Sequence, residues 1–479
     1  MKRKHIVFLI LFGIVLFIGF MAYVKYQRSE YKEAQVESGL KMLFLKDDSL
    51  PFIQFSVVFP KAGSDYDFEG KSGLAQLTAY MLDQGAGGLN SESLQEELNQ
   101  LGTELSVSVG RQTARFSISG LSWHKEKLYD LFKKILSRPH FESSEMEILR
   151  KQFIDRRIKS LDRADFVADT LLRSALFQGS VSSAGAGNLI SLPKINLEDI
   201  RAFYKKYYLE GNPIFMIVGD FDKTLEKSAR AFVNDSFPYQ KQSFDFISAP
   251  DLDSQIKLVT NNDLVQAEVR LAYSLFPFPT QNPRQFLVFK LANSILGAGG
   301  MTSRLFYELR EKRGLTYGAY SSVNFGKLYG FFDISGATKT SSVKEFLEQT
   351  FLILNKFKQE GASLEELNTA KQTVKIRHLK KIETPENNLY QTAYYKYYLG
   401  LDSGFLDHYL QTIADISLEE VNLGIKEFIL SKPLQIIIYG HPSLQSQLED
   451  IKDFSLSTVS FKDYFKDELN FIQPSSQSK

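Results

Sequence analysis

Asn196-Leu197-Glu198-Asp199-Ile200 is followed by the apolar strand Ile214-Phe215-Met216-Ile217-Val218, which stops at Gly219-Asp220. The same order returns as Ser417-Leu418-Glu419-Glu420-Val421, a strand over 434–439, and Gly440-His441. Gly219 and Gly440 lie 221 residues apart, a period that indicates domain duplication and not a solenoid. A second pair agrees: Phe141-Glu142-Ser143-Ser144-Glu145 and Ala362-Ser363-Leu364-Glu365-Glu366 each open a long amphipathic helix.

Outward from these echoes, each copy reads as strands followed by helices. In the first copy, 42–59 predicts strand, turn and strand, turning at Lys46-Asp47-Asp48 and ending at Pro60. Helices are expected over 71–81 and 91–101, the second with Ser93 as its cap. Strands over 104–109 and 113–119 precede helices over 126–135, 143–160, 164–176 and 197–207. The second copy predicts strands at 267–275, 317–325 and 327–335. Its helices fall at 286–296, 308–313, 341–360, 364–382 and 418–428. Strand hairpins beside long helices favour an α+β class over a doubly wound sheet. Two homologous units of mostly antiparallel sheet with packed helices would then face each other across a cleft, the natural ligand site. The expected boundaries are 38–236 and 255–460, with a linker at 237–254 containing Pro238 and Pro250 and a polar tail at 461–479.

The 479 residues are 43% hydrophobic and 24% charged, enough to bury large cores and incompatible with wholesale disorder. Lys and Arg total 57 against 56 Asp and Glu, so no basic field exists to hold nucleic acid nonspecifically. The absence of cysteine excludes disulfides, thiol catalysis and thiolate-held zinc. Residues 6–24, IVFLILFGIVLFIGFMAYV, carry no charge. As a helix they would span about 28 Å against a bilayer core of about 30 Å. The expectation is a cytoplasmic tail at 1–5, a single-pass signal-anchor at 6–24, a tether at 25–37 and a body in the periplasm at the bacterial inner membrane. The alternative is a cleaved signal peptide with the body released to the periplasm.

Gly73-Leu74-Ala75-Gln76-Leu77-Thr78-Ala79-Tyr80-Met81 resembles the zinc helix of the insulinase-like (M16) metallopeptidases. Arg310-Glu311-Lys312-Arg313-Gly314-Leu315-Thr316-Tyr317 resembles the hallmark of their second domain, as does the preceding 296–305 stretch with Gly297, Gly299 and Gly300. With the duplication, the resemblance covers roughly 38–460. It implies two M16-type (LuxS/metallohydrolase-like) domains. The family's zinc helix reads His-x-x-Glu-His, where two imidazoles hold the metal and the carboxylate activates water. Here those positions fall on Gln76, Ala79 and Tyr80, which offer an amide, a methyl and a phenol. The third ligand, a glutamate, would fall within 152–157, where Asp155 is the only carboxylate. The six histidines, His5, His124, His140, His378, His408 and His441, form no compensating pair, and neither G-x-S-x-G nor a phosphate loop is present.

The second-domain motif is intact. In relatives the equivalent Arg/Tyr pair holds the substrate carbonyl or developing oxyanion, a task suited to a guanidinium and a phenol. Alternatively, Arg310 serves a surface ion pair and Tyr317 only begins a strand. The glycine loop either offers backbone N–H groups to a peptide or merely reverses the chain. The resemblance implies a non-catalytic subunit that itself holds no cofactor. It would pair as a heterodimer with a zinc-bearing M16 paralogue that cleaves peptides or unfolded polypeptide, and supply Arg310, Tyr317 and a peptide-binding surface. A stand-alone peptide-binding scaffold of a membrane complex and an active metallopeptidase with an unrecognised site are the alternatives.

Overall fold

The computed structural model describes residues 31–177, 185, 187–241, 252–402 and 404–472. Two six-stranded sheets organise it. The N-terminal sheet contains β1 (Lys32–Gln35), β2 (Lys41–Lys46), β3 (Phe52–Pro60), β6 (Ser106–Val109), β7 (Thr113–Leu121) and β8 (Ile214–Gly219), in the order β1-β2-β8-β3-β7-β6. A two-residue hairpin, β4 (Gly85–Ala86) and β5 (Leu89–Asn90), stands apart. The C-terminal sheet contains β9 (Gln255–Thr260), β10 (Gln266–Leu275), β11 (Thr316–Phe325), β12 (Gly330–Lys339), β13 (Gln435–Gly440) and β14 (Ser455–Ser460), in the order β11-β12-β10-β13-β9-β14.

Five strands of each sheet share one topology, and the sixth differs: β1 is antiparallel to β2, whereas β14 is parallel to β9. β2 runs parallel to β8, and β8, β3, β7 and β6 follow antiparallel. β9, β13, β10, β12 and β11 repeat these relations in the same sequence. The echoed sequence motifs are helix starts. Asn196, Ser363 and Ser417 each accept an N–H three residues on, and Asp199, Glu366 and Glu420 return the bond to the cap residue. These three capping boxes satisfy backbone donors that a helix start leaves free.

Each sheet buries one face on its own helices. Phe55 and Val57 pack with Leu128, Phe132 and Ile135 in the first half, and Leu271 and Ile334 pack with Leu287, Leu291 and Phe346 in the second. The opposite faces are covered reciprocally. Helix Ala164–Leu176 of the first half lies on β10 and β13, where Val167, Ala168, Leu171 and Leu172 meet Ala272, Ile437 and Tyr439. Helix Pro385–Thr392 and the π-turn Ala393–Leu399 of the second half bring Leu389 and Ala393 onto Leu43, Leu45, Ile214 and Met216. β8 and β13 are accordingly buried along their whole length. Two cavities of about 520 and 240 Å³ draw their walls from both halves of the chain.

Several expectations are corrected. The strands within 42–59 do not form a hairpin, because β8 inserts between β2 and β3. Asn90 caps helix Ser91–Gln100 and Ser93 donates the N–H, since the earlier side chain is the one positioned to reach it. The expected tether contains β1, which pairs with β2 and buries Ala34. β9, which opens the expected second unit, is a strand that the expected strands of that unit omitted, and it holds the second sheet's parallel pairing. The expected polar tail folds as helices Phe461–Tyr464 and Lys466–Ile472, because Phe461 and Phe465 add to the packing over β13 while Glu468 meets Arg157. The expected anchor at 6–24, the tail at 1–5, most of the linker and 473–479 lie outside the described residues.

The single-pass inner-membrane placement with a periplasmic body is also corrected. Among the described residues no helix is long and apolar enough to cross a membrane. The long helices Ser143–Leu161, Val343–Glu360 and Leu364–Lys381 carry charged side chains throughout, which a bilayer core would not accept.

Two stability effects follow. Arg157 forks onto Glu468 at 2.9 and 2.7 Å with both side chains nearly buried. Glu468→Ala leaves a buried guanidinium unpaired and is expected to cost about 3–5 kcal/mol in chemical denaturation, with Glu468→Gln costing less. The second concerns Lys290, which donates to the Tyr409 hydroxyl at 2.8 Å. Burial, with Lys381 and Arg377 nearby, pushes its amine down to about 7. The folded chain then binds fewer protons than the unfolded chain between that pH and the ordinary lysine range. Stability is expected to rise with pH through this window, and Lys290→Met to flatten the rise in denaturation midpoints measured from pH 7 to 10.

Candidate functional site

Helix Leu74–Met81 begins at Gly73, whose φ of +96° suits glycine. The buried Asp67 carboxylate accepts the N–H groups of Gly73 at 2.7 Å and Ala75 at 2.6 Å, fixing the start of the helix. Burial pushes the Asp67 carboxyl up to about 8, against the pull of these two bonds. The helix packs on helix Ser143–Leu161 and beside the edge strand β6. This packing brings the 76–80 positions to the 152–157 segment where the third ligand was expected.

What meets there is a packed aromatic and cationic group. Tyr80 stands edge-on to Phe153 with ring centroids 5.6 Å apart. The Arg156 guanidinium lies 4.5 Å from the Phe153 centroid and 5.9 Å from that of Tyr80. Ala79 is fully buried, Gln76 is half-buried and Asp155 is exposed. A guanidinium at this position opposes a divalent cation electrostatically, and an amide and a phenol are poor substitutes for two imidazoles. Among the described residues no group of three or more His, Cys, Asp or Glu side chains could hold a metal ion. The sequence showed that 152–157 lacks a glutamate and holds Asp155 as its only carboxylate, which the fold leaves exposed. The paired aromatics Tyr80 and Phe153 were the available sign that packing had taken over both positions.

In the second half, Arg310 lies in the π-turn Tyr307–Glu311, an uncommon geometry often found at functional sites. Its guanidinium sits 4.6 Å over the Phe306 ring and 3.7 Å from the Glu311 carboxylate, and its side chain is 40% exposed. Tyr317 is 84% exposed at a register shift between Thr316 and Ala319 of β11. Such a bulge re-aims side chains, and the Thr316 hydroxyl holds it by accepting the Gly318 N–H at 3.1 Å and donating to the Ala337 carbonyl at 2.6 Å. Tyr320, which sequence reading did not single out, is half-exposed with its ring 6.2 Å from Phe306. Arg310 and Tyr320 therefore share the Phe306 ring as a neighbour. No hydrogen bond joins Arg310 to Tyr317 among the described residues.

The glycine loop has packing reasons of its own. A side chain at Gly297 would stand 2.5 Å from the Ser321 nitrogen on β11, and one at Gly299 would stand 2.4 Å from the Ser294 carbonyl oxygen. Gly300 has a φ of +72° with open space around it, as a chain reversal requires. Both signature regions lie beside sheet edges: the 74–81 helix packs next to β6, and Tyr317 is part of β11.

The sequence profile described as "Insulinase (Peptidase family M16)" matches residues 45–186, and that described as "Peptidase M16 inactive domain" matches 194–374. A relative from Helicobacter pylori, called a non-peptidase homolog, is 26% identical over 81% of this chain and 89% of its own length. One from Bacillus subtilis, called an uncharacterized zinc protease, is 21% identical over 82% and 94%. The fold is similar to that of a peptidase M16 inactive domain from Pseudomonas fluorescens, with TM-score 0.78 and 22% identity over 86% of this chain and 98% of that one. A protease from Helicobacter pylori gives TM-score 0.76 and 17% identity over 86% and 99%.

Restoring the motif letters is expected to fail as metal-site repair. Gln76→His, Ala79→Glu and Tyr80→His introduced together should leave zinc well below one per chain by elemental analysis. Phe153 and Arg156 still occupy the third side. Ala79→Glu alone should lower stability by about 3 kcal/mol or more, because it places a carboxylate in a dry core. Recovery of one tightly held zinc per chain would refute this account of the site.

Proposed function

We propose a non-catalytic role for this chain, which belongs to the insulinase-like peptidase family M16: it is the substrate-holding half of a two-chain peptidase. The observation that carries the reading is the unequal fate of the two halves. Tyr80 is taken into packing with Phe153 and Arg156, Ala79 is fully buried, and Gln76 offers only an amide. Arg310 and Tyr317 remain on the surface, and Tyr317 is presented by a bulge. A tyrosine held 84% exposed buries little apolar surface, so stability alone is a weak reason for its placement.

The partner in this reading is a zinc-bearing M16 paralogue, and the substrate is an extended peptide or unfolded segment. The metal and the general base belong to the partner; this chain holds no cofactor. As water attacks the scissile carbonyl, charge grows on its oxygen. The Arg310 guanidinium and Tyr317 hydroxyl donate hydrogen bonds to it, with most of their value realised in the transition state. The edges of β6 and β11 supply rows of backbone N–H and C=O groups that an extended chain can pair with. Close packing and chain reversal account for Gly297, Gly299 and Gly300, so the reading places no catalytic demand on the glycine loop.

Peptide hydrolysis by the reconstituted pair tests this. Tyr317→Phe removes one hydroxyl and is expected to lower turnover roughly a hundredfold to a thousandfold, with assembly and substrate affinity unchanged. Arg310→Ala should lower turnover and weaken binding. Full activity of a complex carrying both substitutions would remove the oxyanion role and leave a peptide-binding scaffold as the reading.

A further inference from the structure

In the second half, three helices meet around one amine. Helix Pro283–Asn293 carries Lys290, helix Leu364–Lys381 carries Arg377, His378 and Lys381, and helix Tyr409–Asp415 begins with Tyr409. The partly buried Lys290 donates to the Tyr409 hydroxyl at 2.8 Å, and its ammonium stands 5.1 Å from the Phe286 ring centroid and 5.5 Å from that of Tyr409. The buried His378 ring stacks on Tyr409 with centroids 3.8 Å apart, which sets the last turns of its helix beside the amine. Arg377 and Lys381, one turn apart and both exposed, bring their charges to bear on Lys290.

The cluster has no counter-charge. Among the described residues the charged groups that act on Lys290 are Lys381 and Arg377, those that act on His378 are Lys290 and Lys381, and no carboxylate offsets them. The acids on these helices are engaged elsewhere: Glu366 holds Arg304, and Asp415 accepts from Gln411 at the far end of its helix. Like charges repel more strongly where water is partly excluded, and burial with the two neighbouring cations pushes the Lys290 amine down to about 7. A helix C-terminus gives Lys381 a reason for its charge, but the helix of Lys290 runs on through the π-turn Ser294–Ala298, so Lys290 is not at a free end. An ammonium has three protons to donate, and Tyr409 accepts one. A cationic or apolar ligand would leave the repulsion in place. An acceptor with two negative charges would balance Arg377 and Lys381 and restore the proton to Lys290.

We propose that Lys290, Arg377 and Lys381 form a binding site for a small dianionic oxyanion of the sulfate or phosphate type, with the two exposed side chains closing on it from solvent and Lys290 donating from below. The site lies within the second half alone and is independent of the peptidase reading, so it requires neither zinc nor a second subunit.

The test is calorimetric titration of the full chain with sodium sulfate at about pH 8 and constant ionic strength. Saturable binding is expected, with uptake of part of a proton per anion as Lys290 protonates, read from the dependence of the heat on buffer ionisation. Arg377→Ala and Lys381→Ala change exposed residues and should each weaken binding roughly tenfold, with the fold intact by circular dichroism. Lys290→Met should abolish the proton uptake. Lys380→Ala removes the same charge from the same helix away from the amine, and should change affinity by less than about twofold. Arg310→Ala should leave binding unchanged. A second titration with glycerol 3-phosphate identifies the source of the anion: tighter binding than sulfate supports the site as one for phosphate esters, and weaker binding supports it as one for the free ion. Absence of saturable binding of either probe would overturn the assignment. An equal loss in Lys380→Ala and Arg377→Ala would also overturn it, by reducing the site to diffuse charge, as would proton uptake that persists in Lys290→Met.

Discussion

Every other feature of this molecule depends on the reciprocal covering of its two sheets. A sheet whose strands are apolar on both faces needs two partners. Each sheet obtains one from its own half and the other from the opposite half: helix Ala164–Leu176 crosses one way, and helix Pro385–Thr392 with its π-turn crosses the other. Separating the halves would expose both second faces at once. A polar cluster at the same seam fixes how they meet. Tyr329 donates to the buried Asp65 at 2.7 Å, Arg111 donates to the Tyr329 oxygen at 2.6 Å and pairs with Asp65 at 3.1 Å, and Gln112 accepts from the Tyr398 hydroxyl at 2.7 Å. Such networks specify one arrangement because a partial match leaves buried polar groups unpaired.

With both faces of each sheet committed, the outer edges and the segments that frame them remain for recognition. Helix Leu74–Met81 packs beside β6, and Arg310 and Tyr317 frame the start of β11. One plan has thus been used twice with opposite results. In the first half Ala79 is buried and Tyr80 packs on Phe153 beside the Arg156 guanidinium. In the second half the polar pair is held outward, and the close contact at Gly297 ties the neighbouring helix to β11.

Much of this was legible beforehand. Amphipathic spacing located the long helices within a few residues, and the repeated Ser or Asn followed three residues later by Glu or Asp marked three helix starts that prove to be capping boxes. That positions 76, 79 and 80 carry an amide, a methyl and a phenol could be read from the residues alone. The environment of those residues could not. Phe153 and Arg156 come from a helix about seventy residues away, and the bulge at Tyr317 depends on where β12 offers its partners.

The sequence by itself determined the repeated plan, the type of most elements and the absence of histidine and carboxylate from the 76–80 positions. Caps, periodicity and side-chain identity act over a few residues and need no neighbour from afar. Only the tertiary structure decided that β8 separates β2 from β3, that the halves exchange covering helices, and that Phe465 and Glu468 in an apparently polar end fold onto Arg157. Strand order and face covering are settled by which distant apolar surfaces can be buried together and which buried charges find partners, and neither quantity is written in any local stretch of the chain.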